Sequence, residues 1–109
     1  MITIIPSNEM IIDAAIVRYG VKAQTDVAIE EMAELMQALI HHRRGRPSNI
    51  TEEIADVEIM LDQLKRIYCI NTDDLKQQKL RRLWFKLERE RDEQNETITA
   101  VFNVRPRKK

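Results

Sequence analysis

The sequence predicts an all-α fold, a bundle of about four helices. Three observations predict it. Apolar residues recur at three- and four-residue spacing through successive long segments, each preceded by a Ser, Thr, Asp or Asn suited to capping. Only two glycines and three prolines occur in 109 residues, and all fall outside those segments. Aromatic residues make up 5% of the chain, which fits a helical core better than a β-sandwich.

The elements follow in order. Ile2–Ile5 is a short apolar lead-in stopped by Pro6. Ser7 or Asn8 caps a first helix through about Tyr19, closed by Gly20. A second helix is expected from Thr25 or Asp26 to Arg43, ending at Gly45 in the basic loop HHRRGRP. Asn49 and Glu52 have the form of a capping box and open a third helix that reaches Tyr68. NTDD, Asn71–Asp74, caps a fourth that continues to Arg91. The remainder, NETITAVFNVRPRKK, loses the helical period, and Ile98 to Val104 suits a short edge strand or an arm onto a neighbour. The expected organisation is a helical domain over 1–94 and a C-terminal arm or flexible basic tail over 95–109. A chain of this size supports a modest core, so its hairpins are expected to pack across a dimer.

Composition narrows the function classes. Eighteen Lys and Arg balance eighteen Asp and Glu, so net charge implies neither a nucleic acid nor an anionic membrane as partner. The single Cys69 rules out an intrachain disulfide and a cysteine zinc site, and fits a reducing cytosol. No apolar run is long enough to span a bilayer, and MITIIPSNEM lacks the flanks of a signal peptide. A cytoplasmic protein is expected.

Two segments carry acids where grease belongs. On a wheel for the second helix with Glu31 at zero, Leu35, Ala28, Leu39 and Met32 fall at about 40, 60, 80 and 100°, with Ala38 near −20°. Glu31 is inside that apolar arc, and Glu34 sits at its rim. The third helix repeats the offset. With Glu53 at zero, Leu64, Val57, Tyr68, Leu61 and Ile54 span about 20 to 100°, and Asp56 takes the rim position of Glu34. A short loop joins the two helices, so they should pack antiparallel and bring Glu31, Glu34, Glu53 and Asp56 together. Acids at this spacing usually line a solvated face, as Glu52, Glu58 and Asp62 do, the last two within reach of Lys65 and Arg66. The matched offset in consecutive helices argues otherwise. Four carboxylates drawn away from water need a counter-charge, or some must be protonated. An all-oxygen cluster without histidine favours Mg²⁺ or Mn²⁺ over zinc or copper. Mg²⁺ keeps positions open for phosphate oxygens.

Glu30-Glu31-x-x-Glu34 followed by Glu53-x-x-Asp56 resembles the E-E-x-x-E … E-x-x-D signature of the MazG-like, all-α nucleoside triphosphate pyrophosphohydrolases. The resemblance runs from Thr25 to Arg82. It implies Mg²⁺-dependent cleavage of a nucleotide between the α- and β-phosphates, giving a monophosphate and pyrophosphate. It also implies a helical bundle completed by homodimers or homotetramers, and a house-cleaning or phage-type role. Carried over, Glu31, Glu34, Glu53 and Asp56 are the metal ligands, and Glu30 is an outer acid or orients the attacking water. Lys79-Leu-Arg-Arg82 looks like the family's basic stretch. Lys79 would then bind phosphate and neutralise the leaving group, with Arg82 beside it; a solvated basic stripe is the plain alternative.

Other features carry less. Adjacent His41 and His42 diverge by about 100° and cannot chelate one metal from one helix. With Arg43, Arg44 and Arg46 they suit the C-terminal end of the second helix, and they can reach a phosphate tail. Cys69 is expected to be core or inert. Trp84 belongs to the apolar side of the fourth helix, and Phe85 to the far side, as a subunit contact or simply exposed. The rival readings are a non-catalytic helical dimerisation or regulatory module that binds Mg²⁺ or nucleotide, and an enzyme like phosphoribosyl-ATP pyrophosphatase.

Overall fold

The structure is a computed structural model and describes residues 4–93. Its helices are α1 (Asn8–Tyr19), α2 (Val21–Arg43), α3 (Ile50–Ile67) and α4 (Asp73–Glu93), with no strand among the described residues. The arm or strand expected over 98–104, and the tail from 95, lie outside the described residues. The chain divides into two compact units, Met1–Ile70 with α1 to α3, and Asn71–Lys109 with α4. Among the described residues no helix is long and apolar enough to cross a membrane.

Helix ends follow local chemistry, with two departures from expectation. Ser7 caps α1, its hydroxyl accepting from the Met10 N–H at 3.2 Å. Gly20 closes α1 at φ 90°, a conformation that side chains rarely adopt. The chain then re-enters helix at once, so α2 begins at Val21 and not at Thr25 or Asp26. Thr25 is no cap: its hydroxyl donates to the Val21 carbonyl at 2.8 Å, as an interior helix threonine does. Asn49 does precede α3, but its side chain caps nothing, so the expected capping box does not form. Asn71 behaves as expected, accepting from the Asp73 N–H at 2.8 Å.

Both hairpin helices end in the same 6→1, 5→2 pattern. Gly45 at φ 71° closes α2, with Arg46 N–H donating to the His41 carbonyl at 2.9 Å and Gly45 N–H to that of His42 at 3.0 Å. Cys69 takes the equivalent place after α3 at φ 53°, with Ile70 N–H on the Lys65 carbonyl at 3.0 Å. Cys69 is exposed, which corrects a core placement.

Packing within the first unit centres on the antiparallel pair α2 and α3, with α1 against both. Among the described residues the buried ones are small or amide: Ala28 and Ala38, with Gln24 and Gln63. Alanines at the crossing let the two backbones approach, so short polar side chains can meet there. Gln24 Nε2 donates to Gln63 Oε1 at 2.8 Å, near the end of the hairpin away from its loop. Arg66 does not pair with Asp62 or Glu58. It turns to α1 instead, donating from Nε to Asp13 Oδ1 at 2.8 Å and from Nη2 to Oδ2, a two-pronged tie.

The buried arc is shifted from the expected one. In α3 the acids Glu53 and Asp56 are half-buried along with Val57, Met60 and Leu64, while Ile54, Leu61 and Tyr68 are exposed. In α2, Met36 and Leu39 are likewise exposed. The apolar stripe is wider than the contact it makes within one chain, so Glu31, Glu53 and Asp56 are half-buried, Glu34 is exposed, and one greasy flank of each helix stays open. In α4, Trp84 and Phe85 are both exposed, Phe85 the more so at 68%.

Candidate metal centre

Three of the four expected acids converge in the first unit. Carboxylate oxygens of Glu31, Glu34 and Glu53 all lie within 4.8 Å of one another. These three carboxylates are the residues that would hold a hard divalent cation there. Asp56 is half-buried beside them, and its charge bears on both Glu31 and Glu53. Glu30 is exposed and stands outside the cluster, as its place on the wheel predicts. Lys79 and Arg82 are exposed on α4, in the second unit.

The register of the hairpin explains the convergence. Gln24 faces Gln63. Seven residues along each strand of the hairpin toward the loop, about two helical turns, Glu31 comes level with Asp56. One turn further, Glu34 comes level with Glu53. The hydrogen-bonded amides and the acids therefore share one register. Sequence reasoning missed the glutamines, although Gln24 falls at about 20° on the α2 wheel, inside the apolar arc. An amide in that arc was the available signal.

The electrostatics are those of an uncompensated site. Oε2 of Glu31 and Oε2 of Glu53 are buried and have no hydrogen-bond partner among the described residues. Burial pushes the Glu31 carboxyl above its ordinary value, reinforced by repulsion from Glu34, Asp56 and Glu53. Burial likewise raises Glu53, reinforced by Glu34 and Asp56. Asp13 goes the other way, held low by its hydrogen bonds to Arg66. Hard oxygen donors, two of them lacking a partner, fit a divalent cation such as Mg²⁺ or Mn²⁺.

A pH dependence follows. Glu31 and Glu53 hold their protons to higher pH in the folded chain than in the unfolded one. Their stabilising contribution is complete below the ordinary glutamate pKa and is lost as pH rises through the raised folded values. Asp13, with its lowered pKa, contributes above its ordinary value and loses that contribution only as pH falls through the lowered one. The metal-free chain is therefore expected to melt at lower temperature at neutral pH than just above the ordinary glutamate range. Mg²⁺ or Mn²⁺ should recover the difference. A metal-free melting temperature that stays flat across this window contradicts it.

Against known proteins, the chain matches no family model, no curated relative and no solved structure.

Proposed function

We propose that this chain is a Mg²⁺-dependent nucleotide pyrophosphohydrolase, cleaving (d)NTPs between the α- and β-phosphates, with Mn²⁺ able to replace Mg²⁺. The observation that carries the reading is the cluster of Glu31, Glu34 and Glu53 on two consecutive helices, with two buried carboxylate oxygens that have no partner among the described residues. The E-E-x-x-E … E-x-x-D resemblance supplies the reaction. Glu31, Glu34, Glu53 and Asp56 are the ligand set. A divalent ion held there would supply charge neutralisation for the phosphates and acidify a nearby water. In the reaction a water oxygen bonds to the α-phosphorus, and the bond from the α-phosphorus to the bridging oxygen breaks. The bridging oxygen leaves with pyrophosphate. Through the resemblance alone, Glu30, exposed and outside the cluster, is an outer acid or orients the attacking water, whose proton leaves to solvent. Lys79 and Arg82 hold their phosphate-binding roles through the resemblance alone.

A (d)NTP panel with Mg²⁺, scored for pyrophosphate against orthophosphate, tests this. Pyrophosphate is the expected product. Orthophosphate indicates a different phosphatase. No turnover with nucleotide still bound favours the non-catalytic helical module, a reading that the open apolar flanks of α2 and α3 also suit. The same flanks support a homodimer or homotetramer. Sedimentation is expected to show one, and a fully active monomer contradicts it.

A further inference from the structure

We infer that the cleft at the loop end of the α2–α3 hairpin seats the distal phosphates of the substrate, the pair that departs as pyrophosphate. This rests on the hydrolase reading, and adds which part of the substrate the first unit grips by itself. The cleft, of about 410 Å³, has Glu34 and Glu53 in its wall together with Gln37, His41, Ser48 and Asn49. Two of the clustered acids are thus shared between the candidate metal centre and the cleft. A ligand seated there adjoins whatever cation the acids hold.

The other four side chains bring amide, imidazole and hydroxyl donors. None of them makes a side-chain hydrogen bond to another described residue. Asn49 in particular stands where a cap belongs and caps nothing. His41 is half-buried while its neighbour His42 is exposed, so the two adjacent imidazoles are not equivalent. The closing turn of α2 folds Arg46 back toward His41 through the 2.9 Å backbone bond, which sets the basic loop beside the cleft. Arg43, Arg44 and Arg46 are exposed and form no ion pair with a described residue. Cations are favoured at any helix C-terminus, so their charge alone carries little. The uncommitted donors lining a cleft that shares its wall with the acids carry the case.

The lining also selects between the two ends of a nucleotide. A base pocket needs apolar and large aromatic faces, and this cleft offers Ala38 and Pro47 with no Phe, Tyr or Trp. Phosphate oxygens need several donors, which Gln37, His41, Ser48 and Asn49 supply. Glu34 and Glu53 would repel a bare phosphate, so the fit requires a divalent cation between acids and ligand.

The test is calorimetry on the full chain with Mn²⁺, then with pyrophosphate or a nucleoside monophosphate added, for wild type and for His41→Ala/Asn49→Ala. Neither side chain is fully buried, and Mn²⁺ uptake doubles as the check that the variant folds. The variant is expected to bind Mn²⁺ normally and to bind pyrophosphate at least about tenfold more weakly, a loss of about 1.4 kcal/mol, with monophosphate binding unchanged. Wild-type pyrophosphate affinity in the variant overturns the proposal, as does a loss confined to the monophosphate. A wild-type chain that takes up no Mn²⁺ sinks the hydrolase reading and this one with it. Normal Mn²⁺ uptake with an unaltered pyrophosphate arm sinks the subsite alone.

Discussion

Glu53→Gln is expected to reduce pyrophosphate release on the order of 10³-fold or more while leaving the fold intact or firmer. The two effects have one cause. Glu53 is half-buried on α3, one of its oxygens has no partner, and its neighbours Glu34 and Asp56 disfavour its charge. Glutamine keeps the volume and removes the negative charge, so the repulsion falls and the metal-free chain gains stability near neutral pH. The same change removes a hard anionic donor from the ligand set, so Mn²⁺ affinity should fall with turnover. Glu58→Gln is the matched control. Glu58 is exposed on the same helix, and the expectation there is unchanged activity and melting temperature. Pyrophosphate release and thermal melts on the two variants decide the matter. Wild-type turnover in Glu53→Gln removes this residue from the machinery, and a large drop in melting temperature assigns it to the fold instead.

The acid positions were legible because a helix wheel converts spacing into direction. Glu31 and Glu53 fall inside apolar arcs, and the structure leaves an oxygen of each buried. The helix count, the Ser7 cap and the Gly45 stop were legible for similarly local reasons. Failures came where local signals competed. Thr25 and Asp26 have cap chemistry, but Gly20 can end one helix and admit the next without an intervening loop, so the cap residues fell inside α2. The breadth of the buried face was illegible for another reason. A wheel shows that Ile54, Leu61 and Tyr68 are apolar, yet it cannot show that a single partner helix covers only part of that arc. Arg66 went to Asp13, a partner far off in sequence that no spacing rule offers.

The Gln24–Gln63 pair should separate stability from site geometry. Both residues are nearly fully buried, at 6% and 4% exposure, and the bond between them is 2.8 Å. Gln24→Leu leaves the buried Gln63 amide without its partner, which costs about 1–3 kcal/mol. The double change to leucine removes both polar groups, and is expected to restore most of that loss. Burying leucine gains apolar contact, but a greasy pair tolerates sliding where an amide pair does not. Because Glu31 with Asp56 and Glu34 with Glu53 follow the same register as the amides, a hairpin free to slide holds its acids less closely together. The double variant should therefore melt near wild type and yet bind Mn²⁺ several-fold more weakly, with broader signals in the spectrum of the bound ion. If it keeps wild-type affinity and line width, helix packing alone fixes the acids and the glutamines contribute only to folding. If the single variant melts like wild type, the amide left behind has found water, and the interface is more open than its burial indicates.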